Sequence, residues 1–231
     1  MVMGPIKASV MSLFSKDNYP DLARKAGIVL VAVSAFIVFL TFYPVLREEV
    51  KYQLLPKHQD AAVRTVGEAE QMGSDAEPSD KGVIYPVDED FGIVIPKIAA
   101  NARVIPDVDW QDSGEYQRAL TRGVAQAKGT AHPGEPGNVF IFSHSGVDFY
   151  EANRYNALFY LINKLTPGDE IYLFYQKQKF VYLVSEKKTV APESVEYLEG
   201  SREKQTLTLM TCWPAGTTLK RLIVIAEQVK P

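Results

Sequence analysis

From Ala26 to Leu46 the chain reads AGIVLVAVSAFIVFLTFYPVL, 21 residues without a charge, and no other feature limits the fold so sharply. At about 1.5 Å of rise per residue, a helix of that length matches the roughly 30 Å apolar thickness of a bilayer. We read it as a membrane-spanning helix. A cleaved signal peptide would also carry basic residues ahead of its apolar stretch, as Lys16, Arg24 and Lys25 stand here, but its apolar core is shorter and ends in a small-residue cleavage site. Arg47, Lys51 and Lys57 balance those three on the other side, so the count of basic residues does not orient the helix. The short tail, residues 1–25, is expected inside the cell and the long C-terminal part outside it. No second apolar span follows.

Once that helix is set aside, the remainder of a 231-residue chain with 46% hydrophobic residues suffices for one core. The 25 basic residues against 28 acidic ones leave a formal charge of −3, which offers no electrostatic footprint for a polyanion and excludes nucleic-acid binding. A single cysteine, Cys212, rules out an intrachain disulfide and a multi-cysteine metal site. A lone thiol outside the cytoplasm is either incidental or a reagent.

Between Gln53 and Ile84 there is no aromatic residue, while Glu68, Glu70, Asp75, Glu77 and Asp80 gather beside Gly73, Pro78 and Gly82. Such a stretch buries too little to fold alone. Residues 47–84 therefore read as a stalk or linker, with 53–71 able to continue the helix and the acidic part able to fold over Cys212 as an inhibitor. From Tyr85 onward short apolar or alternating runs lie between clusters of Gly, Pro, Asn and Asp, which predicts a mainly β domain over 85–231. The expected strands are 91–95, 138–142, 170–174, 179–186, 206–211 and 221–227. Apolar residues at helical spacing over 155–165, stopping before Pro167-Gly168, predict one short helix, and 113–120 a second helical turn.

Three residues in this domain carry chemistry. Cys212 follows the run TLTLMT and precedes Trp213-Pro214-Ala215-Gly216, which puts a thiol where a strand ends and a turn begins. A free cysteine is more often a small buried hydrophobe. His144 ends the run NVFIF in Phe142-Ser143-His144-Ser145-Gly146, and an imidazole there could exchange a proton with a thiol arriving on another strand. Arg221 opens the last expected strand nine residues after Cys212. Its guanidinium could donate to an oxyanion or to substrate carbonyls, or simply be a solvated cation.

Together these segments resemble the sortases, cysteine transpeptidases that attach surface proteins to the cell wall or join pilin subunits. The family's T-L-x-T-C strand is matched by Thr208-Leu209-Met210-Thr211-Cys212, with Pro214 two residues on and Arg221 opening the next strand. Gly129-Thr130, Pro133-Gly134-Glu135 and Gly137-Asn138 lead into His144 as in the family's histidine segment, and Ile95-Pro96-Lys97-Ile98 with Asn101 is similar to its first-strand signature. The likeness spans about residues 91–227 in the expected order. It implies a closed sortase-type β-barrel of about eight strands with one or two short helices, with Cys212 as nucleophile, His144 as general acid and base, and Arg221 as stabiliser of substrate and oxyanion. Thr211, Trp213 and Ser145 are the expected substrate-binding residues. The implied reaction cleaves the threonine-glycine bond of a sorting signal resembling Leu-Pro-x-Thr-Gly through a thioacyl enzyme, and an amine on a cell-wall precursor or a pilin resolves it. Surface proteins or pilins and the membrane are the implied partners, and no metal or cofactor is called for. Ser143 and Ser145 depart from the glycine and arginine that many members carry on either side of the histidine.

His132, ahead of Pro133, and His58, in the linker, are expected in solvent. The acidic residues Asp88-Glu89-Asp90, Asp107, Asp109, Asp112 and Glu115 are expected as a solvated surface rather than a calcium site. An L,D-transpeptidase would place an arginine two residues after its cysteine, where this chain has Pro214. A sortase-like domain that only binds a partner is the remaining rival. The single anchor differs from pilin-polymerising enzymes with two spans, while the Cys-x-Pro-x-Gly turn resembles theirs, which leaves that choice open.

Overall fold

A computed structural model of the chain describes residues 19–54, 62–65, 67, 82–145, 159–199 and 204–229. The chain divides into two units, 1–51 and 52–231. The first is built on helix α1, Tyr19–Leu54. Many of its described apolar side chains are exposed: Leu30 is 70% exposed and Phe36 60%. Over Asp21–Leu40 the helix is long and apolar enough to cross a membrane, a window that starts five residues before the uncharged run. Within the uncharged part of it, 26–40, the Ser34 hydroxyl donates to the Leu30 carbonyl at 2.9 Å, so the one polar side chain there is satisfied within the helix.

The second unit is a barrel. Two short strands, β1 (Ala62–Val63) and β2 (Val83–Ile84), pair in parallel. Eight longer ones follow: β3 (Phe91–Ile95), β4 (Ala100–Val108), β5 (Val124–Ala127), β6 (Gly137–Phe142), β7 (Glu170–Tyr175), β8 (Gln178–Val190), β9 (Gln205–Trp213) and β10 (Lys220–Val229). They close in the order β10-β8-β7-β3-β4-β5-β6-β9, all neighbours antiparallel except β4 with β5 and β6 with β9. Strand period two explains the closure. In β9, Leu207 and Leu209 join Ile93, Ile95, Val139, Ile141, Leu222 and Val224 in one cluster, while the intervening residues face away from it. In β6 both faces are covered, because Phe140 and Phe142 pack in a second cluster with Ala125, Ala127 and helix α2 (Ser113–Leu120) through Ala119 and Leu120. That double burial is why GNVFIF is apolar without alternation.

The structure departs from the sequence reading at several places. β9 runs through Cys212 to Trp213 instead of stopping at Thr211, because Cys212 and Trp213 still pair with Arg221 and Lys220 of β10. β4 and β5 were not expected. β4 contains Pro106 and a left-handed Asp107 (φ 52°) at a register shift, and β5 is a strand of only four residues, VAQA. Proline and short length both erase the pattern that marks a strand. The helix expected over 155–165 is a 3₁₀ turn at Tyr160–Lys164, with 155–158 outside the described residues. Within the expected linker, Val63 is 5% exposed and packs on Val94 and Phe174, and the Lys179 ammonium donates to its carbonyl at 3.2 Å. β1 thus lies against the β3–β7 wall, and β3 is four strands from β9 in either direction around the barrel. His58 and most of the acidic stretch lie outside the described residues.

Gly123 sets the join between α2 and β5. A Cβ there would stand 2.3 Å from the Arg103 carbonyl oxygen, so only glycine lets β5 enter beside β4 at this depth.

Candidate active site

Two different strand pairings meet at Cys212. β6 and β9 are parallel and in constant register, ending on the pair Phe142 and Met210. The Ser143 N–H donates to the Met210 carbonyl at 3.1 Å, and the Thr211 hydroxyl donates to the Ser143 carbonyl at 2.9 Å, which carries the pairing one residue past the strand. One more step at the same offset sets His144 level with Cys212. On the other side β10 is antiparallel, and Arg221 stands directly opposite Cys212. Side chains alternate along each strand, so Cys212 shares a face with Met210, and His144 with Phe142 and Phe140. Both belong to the outer face that α2 covers.

A guanidinium N–H of Arg221 donates to Cys212 Sγ at 3.4 Å and to the carbonyls of Thr218 and Lys220 at 3.3 Å each. The cation is therefore held at the thiol by the β9–β10 turn. It can stabilise negative charge on the sulfur or on an oxygen developing beside it. Cys212 is partly exposed, as a nucleophile must be.

His144 is half-buried, and its Nε2–H donates to the Gln117 Oε1 at 3.1 Å. An amide oxygen only accepts, so in this bond Nε2 carries the hydrogen. Gln117 was not among the expected site residues. A lone glutamine in SGEYQRAL gives no chemical signal, and only the docking of α2 brings it to the histidine.

The expected substrate-binding residues have other engagements. Thr211 is 2% exposed, its hydroxyl committed to the Ser143 carbonyl, and Ser145 is 4% exposed. Trp213 is partly buried against the interior cluster, on the opposite side of β9 from Cys212 by alternation.

His132 is not in solvent. Its side chain is 21% exposed, stacked on Tyr175 with ring centres 5.3 Å apart, and lies 3.6 Å from a carboxylate oxygen of both Asp107 and Glu135. The acidic residues mostly serve the backbone. Asp112 caps α2 by accepting from the N–H groups of Gly114 and Glu115, and Glu115 accepts from the N–H of Asp109. Burial opposes ionisation of Asp88, but the N–H groups of Phe91 and Asp90 and the Arg103 guanidinium outweigh it and hold the carboxyl below its ordinary range. Among the described residues no three His, Cys, Asp or Glu side chains are grouped to hold a metal ion.

A family model for the sortase domain matches residues 93–229, which takes in all but the first two residues of the barrel. The chain belongs to the sortase family. The sortase match includes Cys212, His144, Arg221 and Gln117 and leaves out α1, β1 and β2. Among curated relatives, Sortase D of Bacillus subtilis (strain 168) is 26% identical over 138 residues, 58% of this chain and 61% of that protein. Sortase A of Streptococcus agalactiae serotype III (strain NEM316) is 27% identical over 139 residues, 60% of this chain and 52% of that one. The chain therefore spans less than two thirds of the length of either relative. In structure it resembles sortase C-1 from Actinomyces oris, with a TM-score of 0.53 and 28% identity over 63% of this chain and 75% of that one. The sortase barrel expected from the motifs is thus the fold observed.

Proposed function

We propose that the chain is a membrane-anchored cysteine transpeptidase acting outside the cell. In this reading residues 1–25 are cytoplasmic, 26–46 span, 47–84 form a stalk whose strands β1 and β2 dock on the barrel, and 85–231 carry the chemistry. The single observation that supports it most is Cys212 flanked by Arg221 across one strand pairing and level with His144 across the other.

The Cys212 thiolate attacks the threonine carbonyl of a Leu-Pro-x-Thr-Gly-like signal, and Arg221 donates to the oxyanion. The carbon–nitrogen bond then breaks, and the glycine amine leaves with a proton from His144. An acceptor amine on a cell-wall precursor or a pilin attacks the thioester, its proton passes to His144, and the carbon–sulfur bond breaks to restore the thiolate. Water resolves the same intermediate slowly. The substrates are surface proteins or pilins.

The test is mass spectrometry of the full chain in detergent, wild type and Cys212→Ala, with a Leu-Pro-x-Thr-Gly peptide library and a glycine-based amine. The expected outcome is a thioacyl adduct and a ligated peptide that both vanish in the variant. An alkylatable Cys212 that forms neither product with any peptide overturns the reading in favour of a binding domain.

A further inference from the structure

A thiol and an imidazole exchange a proton efficiently only when the ring is held in one orientation and one tautomer, which is the task of the third group in nucleophile–base systems. The described contacts of His144 include one with that geometry. Gln117 Oε1 lies 3.1 Å from Nε2. The amide sits on a well-fixed platform. The Asp112 carboxylate closes the first turn of α2 at 2.8 Å and 3.1 Å, Ala119 and Leu120 are buried, and Tyr116 meets Phe142 edge-on with ring centres 6.4 Å apart. Phe142 lies two residues before His144. The helix that carries the amide is therefore docked on the strand that carries the histidine, and the two cannot drift apart without loss of that packing.

The choice of group has a chemical consequence. An amide oxygen can accept from Nε2–H whether the ring is neutral or doubly protonated, so it keeps the ring in place through a full cycle of proton gain and loss. It bears no charge. A carboxylate in its place would favour the imidazolium strongly, whereas a neutral acceptor orients the ring with little bias between the two forms. That suits a histidine that must alternate between giving and taking a proton.

We propose that Gln117 is the positioning residue of the site, fixing His144 with its hydrogen on Nε2. This rests on the reading of His144 as acid and base, and two independent measurements separate the two claims. The chain has three histidines, His58, His132 and His144. Histidine-labelled full-length protein in detergent micelles therefore gives three ring spin systems by ¹⁵N NMR, with His144 assigned by its loss in His144→Ala. In the wild type the neutral His144 ring reads as the Nε2–H tautomer. Gln117→Met, of similar length and without an acceptor, shifts it to a mixture, and Gln117→Glu, which keeps an acceptor, restores it. Gln117 is exposed, so these variants fold.

On the library peptide with the largest Cys212-dependent turnover, Gln117→Met lowers kcat about tenfold, the size expected of one partly solvated hydrogen bond to a group charged in the reaction. KM stays within about twofold of wild type, since the residue acts through His144 rather than on the peptide. Gln117→Glu, which orients the ring but biases it toward the imidazolium, recovers part of the rate and displaces the pH–rate profile upward. An unchanged His144 tautomer in Gln117→Met, or equal losses in Met and Glu variants across the whole pH range, overturns the proposal. Full turnover by His144→Ala instead overturns the acid–base role, and with it the catalytic part of the claim.

Discussion

The two described histidines of the barrel stand at opposite ends of the same strand. His144 lies two residues past the end of β6, and His132 lies in the loop before its first residue. One meets a neutral amide beside a thiol and a guanidinium, on the outer face. The other is stacked on a tyrosine between two carboxylates. The same imidazole is thus the proposed proton carrier in one setting and a packed ring between carboxylates in the other. Neighbours assign the role, since both residues sit in equally polar sequence.

Substitution at the two ends breaks the comparison most directly. His144→Ala should lower peptide turnover by about 10² to 10⁴ and leave the melting temperature within a degree or two, the loss typical of removing a general acid–base group. His132→Leu should do the reverse, with unchanged turnover and about 1 kcal/mol less stability from the lost stacking on Tyr175, measured by urea denaturation. Should His132→Leu cost more than a hundredfold in turnover, the two ends are not independent.

A second prediction sharpens the contrast through the backbone. Gly123→Ala forces a Cβ to 2.3 Å from the Arg103 oxygen, and about 1–3 kcal/mol of destabilisation follows from the overlap. Because Gly123 joins α2 to β5, kcat should fall as well, through displacement of Gln117. A fall in stability alone would mean that α2 is held by its packing on Phe142 and not by its tail.

The smallest effect concerns Asp88, in the turn ahead of β3. Its folded pKa lies below that of the unfolded chain, so its contribution is present above the ordinary carboxylate range and is lost as pH falls through the folded value. Arg103 is 61% exposed, so solvent screens the pair and the contribution is a few tenths of a kcal/mol. Asp88→Asn should therefore flatten the acid limb of a stability–pH curve slightly and leave turnover unchanged at neutral pH.

Much of this architecture was legible in advance where side-chain alternation and motif spacing speak for themselves. β8 alternates and β6 is a bounded apolar run. The Cys212 to Arg221 spacing is that of a hairpin, so the partner of the thiol could be named. β4 was hidden because Pro106 and the left-handed Asp107 interrupt it, and β5 because a stretch of four residues, VAQA, fits helix and strand equally. The placement of Trp213 and Thr211 toward the interior follows from strand alternation once β9 is known to run past Cys212. Gln117 and the stacking of His132 were out of reach for a different reason. Both depend on which loop or helix lands on which strand, a tertiary fact without a local trace.

The parallel pairing of β6 with β9 also gives the site a schedule of assembly. Cys212 and Arg221 are nine residues apart and meet as soon as one hairpin forms, whereas His144 is 68 residues from Cys212 and joins it only after β7 and β8 have been laid down between them. Long-range contacts of that kind form late, since the entropy of closing the intervening chain must be overcome first. A half-folded chain therefore carries a thiol beside its arginine without the histidine, and the proposed site is complete only when β6 pairs with β9.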